Sequence, residues 1–167
     1  MARTVDDLPI EQGAEEGHSM DIDGSQPRSL WVLGHRVTLI PVGGRVAAVE
    51  VATPAGVPGP PPHYHEDTDE YFYVLEGRLG VMAADDWTSL TQGGYVCVPR
   101  GVVHTFRNEG PDEVRAITAF DPLGFERFFL EYGVDVDAAG AFEASVSEAT
   151  IARVIEGCAR FGMILAP

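Results

Sequence analysis

The chain of 167 residues is long enough for one domain with a real core and too short for two. Its formal charge of −15 argues against a nucleic-acid partner, because neutralising phosphates takes clustered basic side chains. All 11 basic residues are arginines, so Schiff-base chemistry and a Walker-type phosphate loop, which need a lysine amine, are excluded.

Residues 1–27 are acidic and aperiodic and are expected to form a flexible arm. From Leu30 the pattern changes. Leu30–Leu33 and Arg36–Pro41 read as strands parted by Gly34, and Arg45–Ala52 alternates with Ala47, Val49 and Val51 on one side. Thr53–Pro62 is too rich in Gly and Pro for regular pairing. Tyr71–Leu75, Leu79–Ala83, Trp87–Leu90, Tyr95–Val98, Val102–Arg107 and Val114–Phe120 follow as short strands between turn signals, the pattern of a sandwich or barrel. The 19 glycines and 12 prolines fit that all-β reading. After residue 121 the period changes. Pro122–Tyr132 reads as a helix with Phe125, Phe128 and Phe129 apolar, stopped by Gly133. Ser145 to Glu148 fits a capping box ahead of a stripe of Ile151, Val154, Ile155 and Cys158. The domain plan is therefore an arm (1–27), a β-barrel (28–121) and one or two helices packed outside it (122–167).

The two cysteines cannot make a disulfide framework, and Cys97 lies in an apolar run that reads as a buried strand. With no basic-then-apolar leader at Met1–Ile10 and no apolar run of membrane length, a cytoplasmic protein without a membrane partner is expected.

The chemistry concentrates in three phrases. In His63-Tyr64-His65, period-two alternation sends both imidazoles to one face. Glu70 opens the next strand after the acidic turn Glu66–Asp69, which reads as solvated. His104 lies on a later strand and shares a face with Phe106. Three imidazoles and a carboxylate inside a barrel make a site for one divalent transition metal, such as Fe, Ni, Mn, Co or Zn, with positions left open in octahedral geometry. His18 and His35 read as ordinary hydrogen-bonded histidines.

His63-x-His65-x4-Glu70-x6-Gly77 resembles the first motif of the cupins. Gly93-x5-Pro99-x-Gly101-x2-His104-x3-Asn108 resembles the second. Two departures, Val57 where the family opens on glycine and Gly94 where it carries an acid, touch loop shape and not ligands. Outer phrases such as Trp31-Val-Leu-Gly34, Pro60-Pro-Pro62, Gly124-Phe-Glu-Arg-Phe-Phe129 and Ala159-Arg-Phe-Gly-Met163 are similar to those of bacterial quercetin 2,3-dioxygenase-like monocupins.

The resemblance implies an all-β jelly-roll barrel, pairing as a homodimer, with metal on His63, His65, Glu70 and His104. It implies a metal-dependent dioxygenase acting on a hydroxylated aromatic or enol, flavonol-like or polyketide-like. Glu70 would serve as ligand or as the base that takes a substrate proton, and Phe72, Val74 and Phe106 would wall a small-molecule substrate pocket. A redox-neutral isomerase, lyase or polyketide cyclase would use the same ligands, with the metal acting only as a Lewis acid. A non-catalytic binding protein is a further alternative. A DNA-binding sensor is discounted, since the residues before the first strand hold no helix-turn-helix pattern.

Overall fold

A computed structural model describes residues 27–42 and 44–167. The expected N-terminal arm and His18 lie outside the described residues. Twelve strands are present among them: β1 (Ser29–Val32), β2 (His35–Ile40), β3 (Ala47–Thr53), β4 (His63–His65), β5 (Asp69–Glu76), β6 (Arg78–Ala83), β7 (Asp86–Thr91), β8 (Tyr95–Val98), β9 (His104–Asn108), β10 (Val114–Asp121), β11 (Val134–Asp135) and β12 (Met163–Leu165). They form two antiparallel sheets, a seven-stranded one in the order β11-β1-β2-β3-β10-β5-β8 and a five-stranded one in the order β12-β4-β9-β6-β7. Turn spacing predicted a sandwich or barrel, and the two sheets form the jelly-roll arrangement that the cupin resemblance implied.

Alternation places the core. In β3, Ala47, Val49 and Val51 are buried, and in β5 Glu70, Phe72 and Val74 point inward while Tyr71 and Tyr73 are exposed. The buried apolar residues fall into two clusters. One, mainly from β1, β2, β3, the end of β10 and the C-terminal segment, contains Leu30, Val49, Phe120 and Phe125; the other, mainly from β5, β6 and the start of β10, contains Phe72, Val74, Val81 and Val114.

Among the described residues three α-helices lie outside the barrel: α1 (Glu126–Tyr132), α2 (Ala141–Ser145) and α3 (Glu148–Gly157). At the end of α1, a Cβ on Gly133 would meet Phe129 O at 2.5 Å and Leu30 side-chain atoms at 2.8 Å, so only glycine lets the chain turn back against β1 there.

Three local expectations are corrected. The cap of α3 is Ser147, whose hydroxyl accepts from Thr150 N; Ser145 ends α2, donates to Phe142 O and accepts from Gly34 N. The expected four-residue stripe is only half used. Val154 and Cys158 are buried, but Ile151 and Ile155 are 40% and 51% exposed, because α3 packs mainly on the neighbouring C-terminal helical elements, which cover only part of its stripe. Cys97 is exposed, since β8 is a sheet edge whose inward positions are taken by its neighbours Val96 and Val98. No helix among the described residues is long and apolar enough to cross a membrane.

Candidate metal centre

The four residues picked out by spacing converge between the two sheets. His63 and His65 stand on β4, His104 faces His63 across the β4–β9 ladder, and Glu70 arrives from β5 in the opposite sheet. All four are buried, and one candidate ligand atom from each lies within 4.8 Å of the others. β4 has only three residues, so its neighbours hold it: β9 on one side and β12 on the other, with Met163 opposite His65 and Leu165 opposite His63.

The loop before β4 is also pinned. Thr105 Oγ1 donates to Pro60 O at 2.6 Å, and Gly59 lies so close to the Phe106 carbonyl that no Cβ fits between them.

Hydrogen bonds orient the rings. His63 Nδ1–H donates to Pro61 O and His104 Nδ1–H to Val102 O, both at 2.9 Å, which turns each Nε2 toward the centre. Glu70 Oε2 sits 3.1 Å from His65 Nε2 and 2.7 Å from His104 Nε2. Burial would raise the Glu70 carboxyl, yet the hydrogen bonds to His104 and His65 outweigh it and hold it at about 2. Burial, and then the neighbouring His104, push His63 down to about 4. For His104, burial is outweighed by the hydrogen bond and charge of Glu70, which raise it.

The donor set fits a metal ion. One carboxylate and three imidazoles meet at a point where the Nε2 atoms of His65 and His104 face one Glu70 oxygen, so each nitrogen either donates a hydrogen to that oxygen or shares a metal ion with it. His65 Nδ1 is buried without a hydrogen-bond partner among the described residues. Three neutral imidazoles and a carboxylate form an N₃O set typical of first-row divalent ions.

Two residues that sequence reasoning passed over help to place Glu70. Asp69, read as part of a solvated turn, accepts Arg100 N at 2.9 Å and the Arg100 guanidinium at 3.0 Å through each carboxylate oxygen. These hydrogen bonds hold the Asp69 carboxyl at about 2. The clamp joins the start of β5 to the loop that leads to His104. Its signal was the pair of ions flanking the two motifs, Asp69 beside Glu70 and Arg100 between Pro99 and Gly101.

A cavity of about 70 Å³ opens on His63, His65 and Glu70. A single water needs roughly 10–15 Å³, so a ligand of several heavy atoms has room there. Its walls are apolar. Phe125, Phe128, Phe129 and Met163 come from the C-terminal segment, and Val32, Leu33 and Val37 from β1, β2 and their turn. The Phe125 ring meets His65 edge-on at 4.5 Å between centroids. His35 also lines the cavity, bonded through Nδ1 to Thr53 Oγ1 at 2.9 Å as an ordinary structural histidine. Of the three expected pocket residues, Phe106 borders this cavity. Phe72 borders a second, smaller void, and Val74 is fully buried in the core cluster of β5, β6 and β10.

Fold and site together define a β-barrel with a His₃Glu cluster at its centre, and the family model described as a cupin domain matches residues 49–120. The chain thus contains a cupin domain over residues 49–120. It is 36% identical over 61 residues to the polyketide synthase CurC of Streptomyces cyaneus, covering 36% of this chain and 40% of that protein. It is 32% identical over 71 residues to the quercetin 2,3-dioxygenase of Bacillus subtilis, covering 42% of this chain and 21% of that enzyme. The matched stretch spans less than half the length of each of these relatives. In fold it is similar to an RmlC-like cupin from Shewanella frigidimarina, with a TM-score of 0.52, 23% identity and coverage of 59% of this chain and 86% of that one.

Proposed function

We propose that the protein is a metal-dependent dioxygenase acting on a neutral hydroxylated aromatic or enol. One observation carries this reading: His63, His65 and Glu70 of the His₃Glu cluster form a polar wall of a cavity whose other lining residues, apart from His35 and Thr118, are apolar. A divalent transition metal bound there supplies Lewis acidity and, when redox-active, chemistry with dioxygen. The chain's own groups do the rest. Glu70, ionised at neutral pH, is a ligand or the acceptor of the substrate hydroxyl proton and is no acid. Phe125, Phe128 and Phe129 bind an aromatic ring by apolar contact and keep water from the cluster. Among the described residues no arginine borders the cavity, which disfavours carboxylate or phosphate substrates.

A redox-neutral reading is supported by the likeness to a relative named as a polyketide synthase. A cyclase or isomerase would need the same proton acceptor and the same dry wall. The fold by itself does not choose between them.

Elemental analysis of the purified protein is expected to give about one first-row metal per chain. Protein that is metal-free and cannot be reconstituted would end both readings. Oxygen consumption with a flavonol panel supports the dioxygenase, and turnover without oxygen supports the cyclase or isomerase. As part of the same reading the chain works in the cytoplasm as a homodimer. The pairing face is the outer surface of the large sheet, where Tyr71, Tyr73 and Tyr95 stand exposed on adjacent strands. Sedimentation at twice 18.0 kDa supports the dimer, and a monomer at micromolar concentration ends it.

A further inference from the structure

The barrel interior holds a second void of about 10 Å³, bounded by side chains of β3, β5, β6 and β10, Phe72 among them. Val51, Phe106 and Thr118 border both this void and the larger cavity at the cluster. The two core clusters share one neighbour in the same way. Among the described residues, Phe106 is the partly buried side chain that packs against both of them. Its ring lies 5.3 Å from that of His35, which lines the larger cavity, and 5.8 Å from that of Phe72, which lines the smaller. Val51 and Thr118 are small, β-branched and buried in paired strands, so they have little freedom. The divider that can be removed is the phenylalanine.

We propose that Phe106 is the specificity-determining residue of this site: its ring divides one elongated apolar chamber and sets the length of ligand that the chamber accepts. The proposal rests on the reading of the larger cavity as the ligand site. The ligand class it implies is a neutral aromatic head at the cluster, carrying an alkyl substituent whose tail runs toward Phe72. Beyond the cluster, the described residues of the chamber walls include one titratable side chain, His35, which burial keeps neutral at ordinary pH. The tail is therefore apolar.

The test is calorimetric titration of the full-length protein with alkylbenzenes and, in parallel, 4-alkylphenols, with tails from methyl to hexyl. Wild type, Phe106→Leu, Phe106→Ala and Phe72→Ala are compared, each checked for a cooperative melt. In wild type, affinity stops rising at a short tail. In Phe106→Ala it goes on rising, by roughly fourfold per methylene, for at least two further carbons. Phe106→Leu stops in between and keeps the test alive where the alanine variant does not fold. Phe72→Ala enlarges only the far void and keeps the wild-type stop.

An identical stop in wild type and the Phe106 variants overturns the proposal. So does an extension produced by Phe72→Ala alone, or failure of every protein to bind any alkylbenzene. Alkylbenzenes that show the step while no phenol binds support the partition and overturn the substrate class proposed above.

Discussion

His63, His65, Glu70 and His104 reach the site from three short strands of the barrel, whereas Phe125, Phe128 and Phe129 reach it from one turn at the start of α1. The stretch that matches the cupin domain contains the first group and none of the second. The two are held by different physics. Each ring of the cluster depends on directional bonds, such as His104 Nδ1–H to Val102 O, and on partners in both sheets. The aromatic block is held by area and shape, with Phe125 and Phe128 stacked at 5.0 Å and Phe129 edge-on to both. A polar cluster loses its function with one substitution, while an apolar wall can be exchanged for another of similar volume. On the proposed function, the chemistry resides in the barrel and the aromatic wall in what is packed against it, while Phe106 of β9 sets the ligand length from within the barrel.

The largest expected effect tests the cluster. His104→Ala should weaken metal binding by more than about a hundredfold, read as lost metal in elemental analysis, while the melt stays cooperative. A variant that keeps stoichiometric metal would move the centre elsewhere. Phe125→Ala should do the reverse: it costs about 3–5 kcal/mol in denaturant unfolding and leaves the metal in place. Equal loss of metal and stability would mean that the two regions are one unit.

A third test uses His35, which belongs to neither region. Burial lowers it from 6.5 to about 4, so as pH falls through that window the unfolded chain takes up the proton first. Stability attributable to His35 is complete above pH 6.5 and drains away toward pH 4, by at most about 3 kcal/mol. Unfolding of wild type and His35→Gln at pH 7.5, 6 and 5 should diverge accordingly, and parallel curves would refute it. The smallest effect is expected at Ser147→Ala, about 1 kcal/mol for a lost helix cap, with cluster and cavity untouched.

The cluster was legible because its signals are local and periodic. His63 and His65 share a parity, Glu70 heads the next strand, and His104 falls inside a second phrase of fixed spacing. The pocket was harder to read. Phe72 and Val74 share the parity of Glu70, but a strand advances about 3.3 Å per residue, so each step of two carries the side chain farther from the cluster. Parity gives a face and says nothing of depth. Phe125, Phe128 and Phe129 were read as the inner stripe of an outer helix, which they are. That the surface they cover includes a cavity depends on contacts across the whole fold. The same limit explains Ile151 and Ile155: a stripe marks what is able to be buried, and the width of the neighbouring surface decides how much is.

The pairing of Met163–Leu165 with His63–His65 also bears on how the protein comes into being. A three-residue strand flanked by β9 and β12 gains its second neighbour only after nearly all of the chain between has been made and threaded into place. Such distant contacts form late in folding, because chain closure must be met before they stabilise anything. The strand that carries His63 and His65 is therefore expected among the last parts to be locked. Uptake of metal during refolding should lag behind the burial of Val74 and Val81, and would serve as a clock for the final step of assembly.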